Sequence, residues 1–113
     1  ELARDVELAT GEPRALHLHT TPDAAADVAA RWQEVLGEAA VVMTRDEAEG
    51  IGLYGPVDDI ARGRLGDVEV AMTGRATVVD SRTQSPASIA LIGAHGSLTP
   101  EELMVPLLMV QAA

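Results

Sequence analysis

The hydrophobic period of the chain changes twice between residues 14 and 44, and that succession leaves few folds open. Residues 14–20 alternate: Leu16 and Leu18 point one way, Ala15, His17 and His19 the other. This is the period-two pattern of a strand with one buried face. Thr21-Pro22-Asp23 follows as a helix start, with Thr21 as N-cap, proline in the first turn and an acid near the positive end of the helix dipole. The helix is expected to run to about Leu36 and to stop at Gly37, which can adopt the left-handed cap conformation. Val28, Trp32, Val35 and Leu36 fall on one stripe, and Ala25 and Ala29 beside it let the helix sit close to a sheet. Trp32 is read as a core anchor. Residues 39–44 (AAVVMT) then form a short, buried strand. The unit is β-α-β.

The remaining segments add to this unit. Residues 1–13 are polar with scattered apolar positions and end in a turn signal, Gly11-Glu12-Pro13, so they read as a linker. Thr44 and Glu47 have capping-box spacing ahead of a short helix over about 45–50, which breaks at Gly50 and Gly52. Residues 67–73 (DVEVAMT) alternate cleanly, with Val68, Val70 and Met72 inward and Glu69 outward. Gly74-Arg75 and residues 76–80 suggest a return strand, making a β-hairpin. The expected fold class is α+β, with about four or five strands, one main helix and two short helices. No internal repeat is present.

Composition narrows the function. Aromatic residues are scarce, with one Trp, one Tyr and no Phe, so the core must be aliphatic. The formal net charge is −10, and all eight basic residues are arginines. A surface this acidic repels phosphate backbones and anionic membranes, which argues against nucleic-acid binding and membrane association. Absence of Cys excludes disulfides and zinc-thiolate sites and leaves the compartment open. The longest apolar run, residues 103–110, is far short of the ~18–20 residues that span a bilayer. Residues 1–10 do not resemble a signal peptide.

Candidate chemistry is sparse. His17 and His19 share a strand face at a spacing that can bind a transition metal, but no third ligand is near in sequence. Asp58-Asp59 are vicinal carboxylates in a turn-like stretch, where solvated acids are the commoner outcome. Tyr54 fits a rim position, and Arg82 sits in a loop without an apolar anchor. The most pointed feature is His95. It lies in Gly93-Ala94-His95-Gly96, between an apolar entry (Ile89, Leu91, Ile92) and a helix start at Thr99-Pro100-Glu101-Glu102. The two glycines allow unusual backbone angles and close approach, so His95 is a candidate ligand or acid/base. Thr99 and Glu102 repeat the capping-box spacing, and Pro106 limits that helix to a short one. Residues 107–110 then read as a strand buried on both faces, belonging to a larger sheet or covered by another subunit.

The stretch GAHGSLTPEELMVPLL resembles the carboxyl-terminal signature of the type I phosphodiesterase/nucleotide pyrophosphatase branch of the alkaline phosphatase superfamily. GEPRALHLHT, VVMTRDEAEGIGLYGPV and RLGDVEVAMTG resemble the segments that precede it there. The resemblance implies a remnant of a larger α/β hydrolase of alkaline phosphatase type. In it, residues 14–88 form a small cap-like domain, and residues 89–113 form a carboxyl-terminal segment of the catalytic core. It implies a phosphoester substrate and two divalent metals, zinc among them, with His95 as a ligand of one. The family's nucleophile and its Ser-Asp-His-Gly motif have no counterpart in this sequence. No residue is therefore assigned as catalytic, and the chain alone is expected to be inactive without an amino-terminal catalytic part as partner. The competing reading is an independent, non-enzymatic α+β binding or oligomerisation module. On either reading the apolar carboxyl-terminal strand favours homo-oligomer formation.

Overall fold

The computed structural model describes residues 1–112, so Ala113 of the carboxyl-terminal segment lies outside the described residues. Four strands form one antiparallel sheet: β1 (Val6–Glu12), β2 (Ala15–Thr20), β3 (Ala40–Thr44) and β4 (Val68–Met72), in the order β1-β2-β4-β3. The main helix, α1 (Ala25–Leu36), packs on one face. Both β2 and β3 run antiparallel to β4, so they are parallel to each other. The β2-α1-β3 unit is thus a split β-α-β, with β4 filling the gap. Short helices α2 (Arg45–Gly50), α3 (Asp59–Arg62), α4 (Pro86–Ile89) and α5 (Pro100–Leu103) complete an α+β chain.

Strand alternation builds the core. Leu16 lies opposite Val70 and Leu18 opposite Val68, while Val42 and Ala40 of β3 lie opposite Val70 and Met72. These side chains meet Val28, Ala29 and Trp32 of α1. Leu18, Val28, Val68, Val70 and Met72 are fully buried, each worth about 1.5–3 kcal/mol of removal from water. Trp32 is the anchor its stripe predicted, and its indole N–H donates to the Leu2 carbonyl at 2.9 Å.

Four local expectations change. Residues 1–13 are not a linker, because Val6–Glu12 pairs with β2 and buries Val6. The Gly11-Glu12-Pro13 turn signal marks a tight hairpin, with Glu12 opposite Ala15. Gly11 has φ +89°, and a Cβ there would stand 2.4 Å from the Ala15 carbonyl oxygen. Thr21 does not cap α1. It opens a turn in which its carbonyl accepts the Ala24 N–H at 3.2 Å, and the helix starts at Ala25 without a side-chain cap. Residues 76–80 form no strand, because both edges of β4 are already taken by β2 and β3. The sheet's hairpin is β1–β2, and residues 76–80 touch its turn through two bonds, Val78 N–H to the Pro13 carbonyl at 2.8 Å and Arg14 Nη1 to the Ala76 carbonyl at 2.7 Å. Finally, residues 107–110 take no regular secondary structure, pair with no strand among the described residues, and are exposed.

Other signals hold. Gly37 ends α1 with φ 54°. The Thr44–Glu47 capping box is complete, with the Glu47 carboxylate accepting the Thr44 N–H at 2.7 Å. No helix among the described residues is long and apolar enough to cross a membrane.

Candidate functional site

Two polar groupings flank the core: the His95 loop at one end of the sheet, and a His17 cluster on the sheet face opposite α1.

His95 is exposed and forms no side-chain hydrogen bond or ion pair among the described residues. It borders an open groove of about 1110 Å³, together with Glu12, Arg75, Gln84, Glu101 and Glu102. Gly96 takes the left-handed φ of +108° that the sequence anticipated, and it passes over the β1–β2 turn. Gly93 does neither, standing in open space with nothing near its Cβ position.

The loop is tied down by a polar clasp downstream of the imidazole. Ser97 is buried, and its hydroxyl donates to the Met72 carbonyl at 2.6 Å. Glu102 accepts from Arg14 Nε at 2.7 Å and Nη2 at 2.9 Å, from the Thr99 hydroxyl at 2.7 Å and from the Ser97 N–H at 3.3 Å. Those four donors fill the acceptor capacity of a carboxylate. Arg14, itself buried, also donates to the carbonyls of Ala76 at 2.7 Å and Met72 at 3.3 Å. The Arg14 bonds hold the Glu102 carboxyl down at about 2, with the Thr99 hydroxyl adding to the effect. The Thr99–Glu102 pairing is therefore present between side chains, but Thr99 makes no side-chain cap to the backbone of α5. Glu102 is committed to Arg14 instead.

On the opposite sheet face, register brings Thr10, His17, Glu69 and Met43 into one row across all four strands. His17 Nδ1 lies 2.5 Å from Glu69 Oε1, and Tyr54 stacks on the imidazole with ring centres 6.5 Å apart. The hydrogen bond to Glu69 raises the His17 pKa against the opposing effect of burial. Burial, then the nearby Glu69, pushes the Tyr54 hydroxyl well above its ordinary value. Glu69 is thus not a solvent-facing strand residue: it is 8% exposed. His19 goes elsewhere, its Nε2 lying 3.3 Å from the Thr10 hydroxyl.

The other candidates resolve into structural roles. Asp58 caps α3 by accepting the Ala61 N–H at 2.7 Å. Arg82 pairs with Asp80, Nη2 to Oδ2 at 2.6 Å. Among the described residues, no group of three or more His, Cys, Asp or Glu side chains is placed to hold a metal ion. The donor set accordingly fits a complete zinc centre at neither histidine grouping, and His95 offers one nitrogen only.

Sequence reasoning missed Arg14 and Glu69. Glu69 had a usable signal: the lone acid of an apolar alternating strand can pair across strands with an imidazole of another, here one of the two that β2 carries. Arg14 had none, since its partner lies 88 residues away. The chain matches no protein-family model, no curated protein and no solved structure.

Proposed function

We propose that this chain is the carboxyl-terminal part of a metal-dependent phosphoester hydrolase of the two-metal kind. Its split β-α-β sheet would cap the catalytic body, and His95 would provide one zinc ligand. The observation that carries this reading is the exposed, unpaired imidazole at the rim of an open groove. It is held in a loop whose apolar neighbours remain uncovered, with Leu91 71% and Val110 97% exposed. An imidazole kept clear of partners is available to a ligand, and apolar segments on both sides call for cover by a larger body. The remaining ligands and the nucleophile would come from the catalytic part.

The test is made on the complete gene product, with metal content and hydrolysis of bis(4-nitrophenyl) phosphate as readouts. His95→Ala is expected to remove one zinc per chain and to lower kcat by about 10²-fold or more. The 113-residue chain alone is expected to show no turnover. Unchanged metal content in the variant would sink the reading.

A second reading rests on a separate observation: the sheet and α1 close one core without outside help. That suits an independent binding or oligomerisation module, and it gains if the natural product carries no Asp/His metal motif besides this chain.

A further inference from the structure

We propose that Arg14 is the positioning residue of His95, holding residues 96–102 against the end of the sheet through its pair with Glu102. The clasp stands by itself; its value for metal binding rests on the hydrolase reading above.

The placement of His95 is decided almost entirely from its carboxyl side. Upstream, residues 90–94 are exposed and bond only locally, as in Leu91 N–H to the Ser88 carbonyl at 3.3 Å. Gly93 has nothing within 4 Å of its Cβ direction. Downstream, the large side chains of residues 103–110 are exposed, so apolar packing does not fix that side either. What remains is polar. Gly96 lies against Glu12 and Ala15, where a Cβ would be 3.5 Å from Glu12 Cβ and 3.8 Å from Ala15 Cβ. Ser97 and Glu102 meet Met72 and Arg14. One residue, Gly96, separates the imidazole from the buried Ser97, so a shift of the clasp moves His95 directly.

Arg14 is the organising member because it joins separate segments. It sits in the β1–β2 turn, reaches the carbonyl at the end of β4, binds the Ala76 carbonyl and grips α5 through Glu102. A planar guanidinium can serve two carbonyls and a bidentate carboxylate at once; an ammonium cannot. Both side chains are largely shielded, at 7% and 12% exposure. Loss of one charge therefore leaves the other stranded and drives the segment toward water.

The experiment is residue-resolved amide exchange on this chain, with the His95 ring resonances followed in parallel. Arg14→Ala also removes the bonds to the Ala76 and Met72 carbonyls, so Glu102→Gln is the deciding variant. In Glu102→Gln, amides of residues 95–103 are expected to exchange at least about tenfold faster, while those of Leu18 and Val70 keep their protection. The His95 signals are expected to shift from their wild-type positions as the loop leaves the end of the sheet. Arg14→Lys is expected to recover only part of the protection. Wild-type protection at residues 95–103 and unmoved His95 signals in Glu102→Gln would overturn the proposal. If the complete gene product holds no metal yet the exchange result appears, the hydrolase reading fails and the clasp stands.

Discussion

Glycines that look alike in the sequence differ sharply once their neighbours are known. Gly66 runs against β2, where a Cβ would meet Leu18 N at 2.8 Å and His17 Cα at 2.9 Å. Those contacts are backbone and cannot swing aside. Gly66→Ala is therefore expected to cost about 1–3 kcal/mol in urea unfolding, through forced displacement of the β2 strand or of the approach to β4. Gly93, flanking the candidate ligand, has open space in the same test. Gly93→Ala should fall within about 0.5 kcal/mol of wild type. A larger loss at Gly93 than at Gly66 would contradict this account of both loops.

At the scale of elements, the sheet has two different faces. One is the aliphatic layer under α1. The other carries the His17–Glu69 pair, with Tyr54 from the loop after α2 laid over it. The raised His17 pKa means that folding favours the protonated ring. The contribution is fully present below the unfolded value of about 6.5 and is lost as pH rises through the higher folded value. Thermal melts should therefore show a larger gap between wild type and His17→Asn at pH 6 than at pH 9. A gap that grows with pH would mean that the ring is held neutral. Glu102 behaves in the opposite sense. Its carboxyl, ordinarily near 4.5, is lowered to about 2. The clasp is thus complete above about 4.5, and its contribution is lost only as pH falls through that lower value.

At the scale of the whole molecule, the chain is more extended than a self-sufficient domain of its length. The radius of gyration is 16.0 Å, with extents of 61 × 35 × 26 Å, against about 13 Å expected for a compact chain of this size. The excess lies with a sheet-and-helix body that is closed and a carboxyl-terminal stretch that is not. Leu107, Leu108, Met109 and Val110 are at least 81% exposed. Truncation after Leu103 is expected to leave the thermal midpoint of the body within a few degrees, because no core residue is removed. It should also reduce self-association in sedimentation experiments, because the largest uncovered apolar surface is gone. A collapse of the midpoint would show that these residues support the body after all.

Local periodicity and capping chemistry determined much of this protein directly. The alternation at Leu16 and Leu18 and at Val68, Val70 and Met72, the α1 stripe through Val28 and Trp32, the stop at Gly37 and the Thr44–Glu47 box each depend on residues at most a few positions apart. Their partners are therefore written beside them. Tertiary structure alone decided that β4 enters between β2 and β3, that β1 joins the sheet, and that Arg14 closes on Glu102. Each of these depends on which segments win a limited number of strand edges and buried acceptors. That competition runs between positions up to 88 residues apart, and no spacing rule along the chain records its outcome.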